Sequence, residues 1–100
     1  MASINKLMKQ AMRAQQQAQE TEAALAAREV EATSGGGAVK VVATCKGELK
    51  SLKIDPEAVD PADVETLEDL VFTAVNSAIA EGEMLQAEEM GKVVSLLFFD

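Results

Sequence analysis

Val39–Pro61 reads VKVVATCKGELKSLKIDPEAVDP, and the fold turns on this stretch. Val39, Val41, Ala43 and Cys45 alternate with Lys40, Val42, Thr44 and Lys46, the two-residue period that sends alternate side chains to opposite faces of a strand. Lys46-Gly47-Glu48 forms a turn, after which Leu52 and Ile54 resume the buried face while Ser51 and Lys53 point away. Asp55-Pro56 closes the sheet, because proline cannot donate to a strand ladder. Asp60-Pro61 predicts the start of a helix, with Asp60 as N-cap, Pro61 at the first helical position and Asp63 adding charge to the first turn. Val59 and Val64 carry the spacing of a hydrophobic staple across that start.

Upstream, no glycine or proline interrupts the chain from Ser3, a suitable N-cap, to Arg28. Ala, Gln, Glu, Met, Lys and Arg dominate there, and all favour helix. Ile4, Leu7, Met8, Ala11 and Met12 follow the spacing of one helical face, continued through Ala18 to Leu25 and Ala26. Gln15 and Glu22 fall within that stripe, so the helix is expected to pack intermittently and to project in part into solvent. Lys6, Lys9 and Arg13 share a narrow arc on the other side, since offsets of three and seven residues return to one side of a 3.6-residue helix. With Gln10, Gln16 and Gln17 nearby, these residues form a candidate ridge for phosphate groups. The same pattern also suits an ordinary solvated face. Glu29–Thr33 alternates acidic and apolar residues as a short edge strand does, and Ser34-Gly35-Gly36-Gly37 makes a hairpin loop. That loop lacks the Gly-Lys-Ser/Thr ending of a phosphate-binding P-loop.

Downstream, Val64, Leu67, Val71, Ala74, Val75 and Ala78 form a dense helical stripe, widened by Leu70, Phe72 and Ile79. A stripe this broad can serve both the chain's own sheet and a partner chain, which makes those six residues the candidate dimer interface. Gly82 is expected to weaken or bend the helix, and Gly91 to end it as a C-cap. The terminal VVSLLFFD is apolar and β-prone, so Val93–Phe99 is expected to be buried. Residues 1–92 then read as one domain and 93–100 as an apolar tail.

One hundred residues at 48% hydrophobic content fit one small domain. Three phenylalanines are the only aromatics, so Ala, Val and Leu supply most of the burial, and sharing a core between two chains becomes attractive. Cys45 is the only cysteine and histidine is absent. An intrachain disulfide is impossible, and a Cys/His zinc centre is close to excluded. A cysteine without a histidine to activate it reads as a small core hydrophobe. No apolar run approaches the ~20 residues of a membrane span, and the composition suits a reducing cytoplasm. The net charge of −8 is uneven. Residues 1–54 carry eight basic against five acidic residues, and residues 55–100 carry one basic against twelve acidic. A polyanionic partner must therefore meet the first half.

In order, LMKQAMRAQQQAQ at residues 7–19, VKVVATCKGELKSLKIDP at 39–56 and LEDLVFTAVNSAIAE at 67–81 resemble the YbaB/EbfC family of bacterial nucleoid-associated proteins. The resemblance implies an α+β fold, α-β-β-β-α, with a long N-terminal helix, a three-stranded antiparallel sheet and a second long helix. It further implies a tweezer-like homodimer in the cytoplasm, associated with the nucleoid, that binds double-stranded DNA. Members commonly end in a Gly-, Met- and Pro-rich tail, which VVSLLFFD does not match.

The resulting expectation is a DNA-binding dimer. Lys6, Lys9, Arg13, Gln10, Gln16 and Gln17 of both chains would face the duplex, with Lys40, Lys46, Lys50 and Lys53 as secondary contacts. The rival is a dimeric protein–protein adaptor without direct DNA binding, favoured by the acidic second half and the wide apolar stripe. Nothing calls for a cofactor, a metal or a small-molecule substrate. Asp55, Asp60 and Asp63 are better explained as a strand stop and a helix cap than as catalytic acids.

Overall fold

The computed structural model describes residues 3–98. Helix α1 spans Ile4–Ala27, strands β1, β2 and β3 span Glu29–Ser34, Val39–Thr44 and Leu49–Ile54, and helix α2 spans Val64–Phe98. The architecture is the expected α-β-β-β-α. Ser3 caps α1, its hydroxyl accepting from the Lys6 backbone N–H at 3.1 Å, and so satisfies one of the donors a helix start leaves open.

The strands form one antiparallel sheet in the order β1-β2-β3. Val39, Val41, Ala43 and Cys45 are fully or almost fully buried, as their alternation requires. A register shift at Val42/Ala43 places Leu49 opposite Ala43 and Leu52 opposite Val41, so the apolar residues of β3 stay on the inward face across the bulge. At the β2–β3 turn, the buried Thr44 hydroxyl accepts from the backbone N–H groups of Lys46 and Glu48. The glycines after β1, Gly35–Gly37, all take positive φ in a tight turn, pinned to α2 by the Ser34 hydroxyl, which donates to the Leu70 carbonyl at 2.6 Å.

The N-terminal half of α2 lies on the inward face of β1 and β2. Ala74 and Ala78 are completely buried there, in a core with Leu25, Val30, Val39, Val41, Ala43 and Cys45. Small residues on α2 let its backbone come close to the sheet. Gly82 extends that reasoning: a Cβ at this position would stand 3.1 Å from Cys45 Cα and 3.2 Å from the Thr44 carbonyl oxygen. The expected weakening at Gly82 is absent. The helix runs through it unbroken, and glycine is there to let α2 pass the end of β2.

Four further expectations at the ends of α2 are corrected. The helix begins at Val64, with Asp63 in the capping position: one carboxylate oxygen accepts from the Thr66 N–H and the other from the Thr66 hydroxyl at 2.7 Å. Asp60 instead accepts from the Ala62 N–H at 2.9 Å and holds a separate turn, so Asp60-Pro61 is a tight turn one step upstream. Val59 and Val64 both remain half-exposed, because with Asp63 as the cap they no longer flank the helix start as a staple pair. Gly91 is not a C-cap, since α2 continues to Phe98. Within the terminal segment Val93 is buried while Val94 and Ser95 are exposed. This stretch is helical, and only one face of a helix can point inward. Residues 99 and 100, and the side chains of 96–98, lie outside those described.

Helix α1 runs back along the C-terminal half of α2. Arg28 meets Glu89 at 3.9 Å, and Gln17 and Thr21 share a groove with Glu89, Lys92 and Val93. The sheet therefore sits at one end of a rod 72 × 18 × 16 Å in extent, and the paired helices project from it as an arm. The radius of gyration is 19.8 Å, against about 13 Å for a compact domain of this length.

Candidate nucleic-acid interface

The face of α1 that packs on α2 carries Ala14, Ala18, Thr21 and Leu25, of which Ala14 and Leu25 are fully buried. At 100° per residue, Lys6, Lys9 and Arg13 lie outside this seam, and all three are exposed. They point outward along the arm. No acidic residue occurs in α1 before Glu20, so the outer half of this helix contributes three cations and no carboxylate of its own. Among the described residues neither Lys6 nor Lys9 takes part in an ion pair.

The glutamines divide. Gln16 borders the same shallow surface depression as Lys9 and Arg13 and donates to Glu20 at 3.4 Å. Gln10 is half-buried and Gln17 lines the groove between α1 and α2, so both sit beside the seam rather than on the ridge. Gln15 and Gln19 border the depression instead. The signal was the helical angle: Gln10 and Gln17 fall between the basic arc and the Ala14–Ala18 seam.

The secondary group is placed differently. Lys40 pairs with Glu31 at 3.3 Å, Lys46 with Glu22 at 3.7 Å and Lys50 with Glu48 at 3.5 Å. These exposed pairs contribute about 1 kcal/mol or less to stability each, yet each carboxylate cancels a cation that a phosphate would otherwise meet. Lys53 faces solvent on the outer face of the sheet, directly across from Lys40. The sheet lysines are scattered among acids, whereas Lys6 and Lys9 on the arm have no ion-pair partner among the described residues.

A second surface lies at the sheet end. Helix α2 covers β1 and β2 but leaves the inward face of β3 open, and Leu49 and Leu52 are 46% and 45% exposed there. The expectation that Leu52 continues a buried face is thus corrected: it is on the right face, beyond the reach of α2. Ile54, Leu67, Glu68, Val71, Phe72 and Val75 line an open, apolar groove of about 470 Å³ beside it. Phe72 is 70% exposed. Of the six candidate interface residues, Leu67, Val71 and Val75 border this groove and Val64 is half-exposed, while Ala74 and Ala78 are consumed by the chain's own core. Ile54 and Phe72 complete a surface that the stripe alone did not delimit.

No group of three or more His, Cys, Asp or Glu side chains among the described residues is arranged to hold a metal ion. None of the described helices is long and apolar enough to cross a membrane.

Known proteins share this sequence pattern and this fold. The sequence matches the YbaB/EbfC DNA-binding family over residues 1–97. The chain belongs to that family. A nucleoid-associated protein of Alkaliphilus metalliredigens is 47% identical over 91 residues, covering 91% of this chain and 80% of the relative. One from Desulforamulus reducens is 50% identical over 91 residues, covering 91% and 87%. An uncharacterized protein of Helicobacter pylori, HP0035, shares the fold at 20% identity, with a TM-score of 0.79 over 94% of this chain and 99% of that one. The YbaB/EbfC family is a DNA-binding family rather than an enzyme family, and DNA is accordingly the partner class of this chain.

Proposed function

We propose that the chain acts in the cytoplasm as a homodimeric, non-enzymatic nucleoid protein that grips the DNA backbone with the outer faces of its two α1 arms. The observation that carries this reading is the acid-free outer half of α1, where Lys6, Lys9 and Arg13 stand on one exposed face of a projecting helix. The two chains together hold a net charge of −16 at neutral pH, so only a local positive potential can attract a duplex. The arm provides it, at the greatest distance from the acidic start of α2. Gln16 stands beside the ridge as an uncharged donor for a phosphate or a base edge. Lys53 and, once released from Glu31, Lys40 add weaker contacts on the sheet.

Pairing of two chains is supported by the burial balance. Ten apolar residues are buried among those described, none of them aromatic, while eleven large apolar side chains remain substantially exposed. The groove beside β3 is where a second copy would seat its own Phe72, Val71 and Leu67. A two-fold arrangement lets each copy fill the other's groove with the same residues.

Fluorescence anisotropy of a labelled duplex at low salt tests the DNA contact. The Lys6→Ala/Lys9→Ala/Arg13→Ala variant is expected to lose binding by 100-fold or more, taking about 1 kcal/mol for each of a few phosphate contacts. Affinity equal to the parent's would show that the arms do not carry it. Absence of binding by the parent itself would favour the adaptor role, for which the apolar groove provides a surface.

A further inference from the structure

We infer that the free end of α1 carries a second self-association surface, on which another copy of the chain docks arm to arm. The observation is a stripe of Ile4, Leu7, Met8 and Met12, exposed by 75%, 54%, 56% and 66% respectively. Ala11 lies within it and is also exposed. At 100° per residue the stripe is centred about 90° from the Ala14–Leu25 seam and about 160° from the basic ridge. Ile4, Met8 and Ala11 serve neither the packing of α1 on α2 nor the proposed DNA contact, while Leu7 continues the angle of Leu25 beyond the seam and Met12 borders the depression beside Lys9 and Arg13.

The stripe's own chemistry selects the occupant. Its arc carries no charge from Ile4 to Gln19, the polar positions being Gln15 and Gln19. A nucleic acid finds no cation on this arc. A second copy finds apolar side chains at matching helical spacing and glutamines able to bond one another, with no like charges brought together. Two arms packed along their stripes turn their basic ridges outward, roughly two helix diameters apart. That separation exceeds the Debye length of about 8 Å at physiological salt, so the ridges do not repel appreciably.

Local energetics point the same way. From Ser3 to Lys9 no residue is buried, and the first fully buried one is Ala14. A helix end of two turns without tertiary support is marginal in water, and docking of a second arm would supply that support. The contact involves four large side chains per copy, well under the ~800 Å² per partner of a standard stable interface. Association through it is therefore weak and depends on concentration, in contrast to the groove beside β3. It would join pairs of chains already crowded on one stretch of DNA, or bridge two duplexes.

Sedimentation velocity over a hundredfold concentration range, on the full chain without DNA, tests the surface. The parent is expected to rise from two chains toward four as concentration increases, and to do so equally in high salt, since apolar contacts are not screened. Ile4→Glu/Met8→Glu should stop at two chains, weakening the second step about tenfold or more, whereas Ile4→Leu/Met8→Leu should keep it. Far-UV circular dichroism shows whether the arm remains helical, and both residues are exposed in the single chain. The groove reading fails separately: Phe72→Glu then leaves the first step intact. A parent that stays at two chains throughout, or an Ile4→Glu/Met8→Glu variant that assembles like the parent, overturns the inference. So does binding of the parent, but not that variant, to phosphatidylglycerol vesicles with no change in assembly, which would assign the stripe to a lipid surface.

Discussion

Replacing Gly82 by alanine sets two effects of known sign against each other. In an open helix the change stabilises by about 1 kcal/mol, because glycine gives up more backbone freedom than alanine on folding. At Gly82 the new Cβ would stand 3.1 Å from Cys45 Cα and 3.2 Å from the Thr44 carbonyl oxygen. Both contacts are closer than ordinary van der Waals separation, and both neighbours are backbone, which yields only if the end of β2 or the whole helix moves. Overpacking a tight site typically costs about 1–3 kcal/mol, so the net effect should be a destabilisation of about 0–2 kcal/mol. Gly91 supplies the control on the same helix: nothing stands within 4 Å of a Cβ there, and Gly91→Ala should stabilise by up to about 1 kcal/mol. Urea denaturation of parent and both variants at one fixed protein concentration measures the two effects. Holding the concentration fixed matters because assembly adds to apparent stability. The two substitutions should move the midpoint in opposite directions, or at least leave Gly82→Ala well below Gly91→Ala. Equal stabilisation by both would show that α2 does not press against the end of β2, and with it would go the explanation of how the arm is aimed.

Other expectations follow from the same contacts. Asp63→Ala removes both bonds to Thr66 and should cost about 0.5–2 kcal/mol by thermal or urea unfolding, whereas Asp60→Ala, at the upstream turn, should cost less. Thr44→Val leaves the Lys46 and Glu48 N–H groups without their hydroxyl acceptor beside a buried side chain, and should destabilise by about 1–3 kcal/mol. Phe72→Glu would place a charge in the proposed shared groove, and light scattering should then report single chains where the parent reports pairs. An unchanged mass would remove β3 and α2 from the pairing surface.

Much of the architecture was legible in residue spacing. The Val39–Cys45 alternation identified the buried face of β2, and an uninterrupted run of helix formers set α1 to within a residue of its observed ends. The ends of α2 were not legible, for two local reasons. Asp60 and Asp63 are both competent caps, and only Thr66, three residues after Asp63, decides between them. Glycine in a helix carries two opposite meanings, a break or a close approach, and the neighbour that distinguishes them at Gly82 lies in a strand nearly forty residues away. The candidate site shows the same divide. Lys6, Lys9 and Arg13 could be grouped from helical angle, while the pairing of Lys40, Lys46 and Lys50 with Glu31, Glu22 and Glu48 depends on tertiary placement. The apolar stripe of α2 was evident, but which of its residues face inward depended on how far the helix reaches across the sheet. Stopping short of β3, it buries Ala74 and Ala78 and leaves Phe72 in the open.

The central claim is that the two arms hold DNA through a small, countable set of phosphate contacts. Its most direct test is the slope of log affinity against log salt for a labelled duplex, measured for the parent. Three cations per arm and two arms predict a slope of about −5, and so a loss of affinity on the order of 10³-fold between 50 and 200 mM salt. The Lys6→Ala/Lys9→Ala/Arg13→Ala variant, where binding is still measurable, should show a much shallower slope, set by the weaker sheet contacts alone. A parent slope near zero, or one that the variant reproduces, would contradict the assignment of DNA binding to the arms.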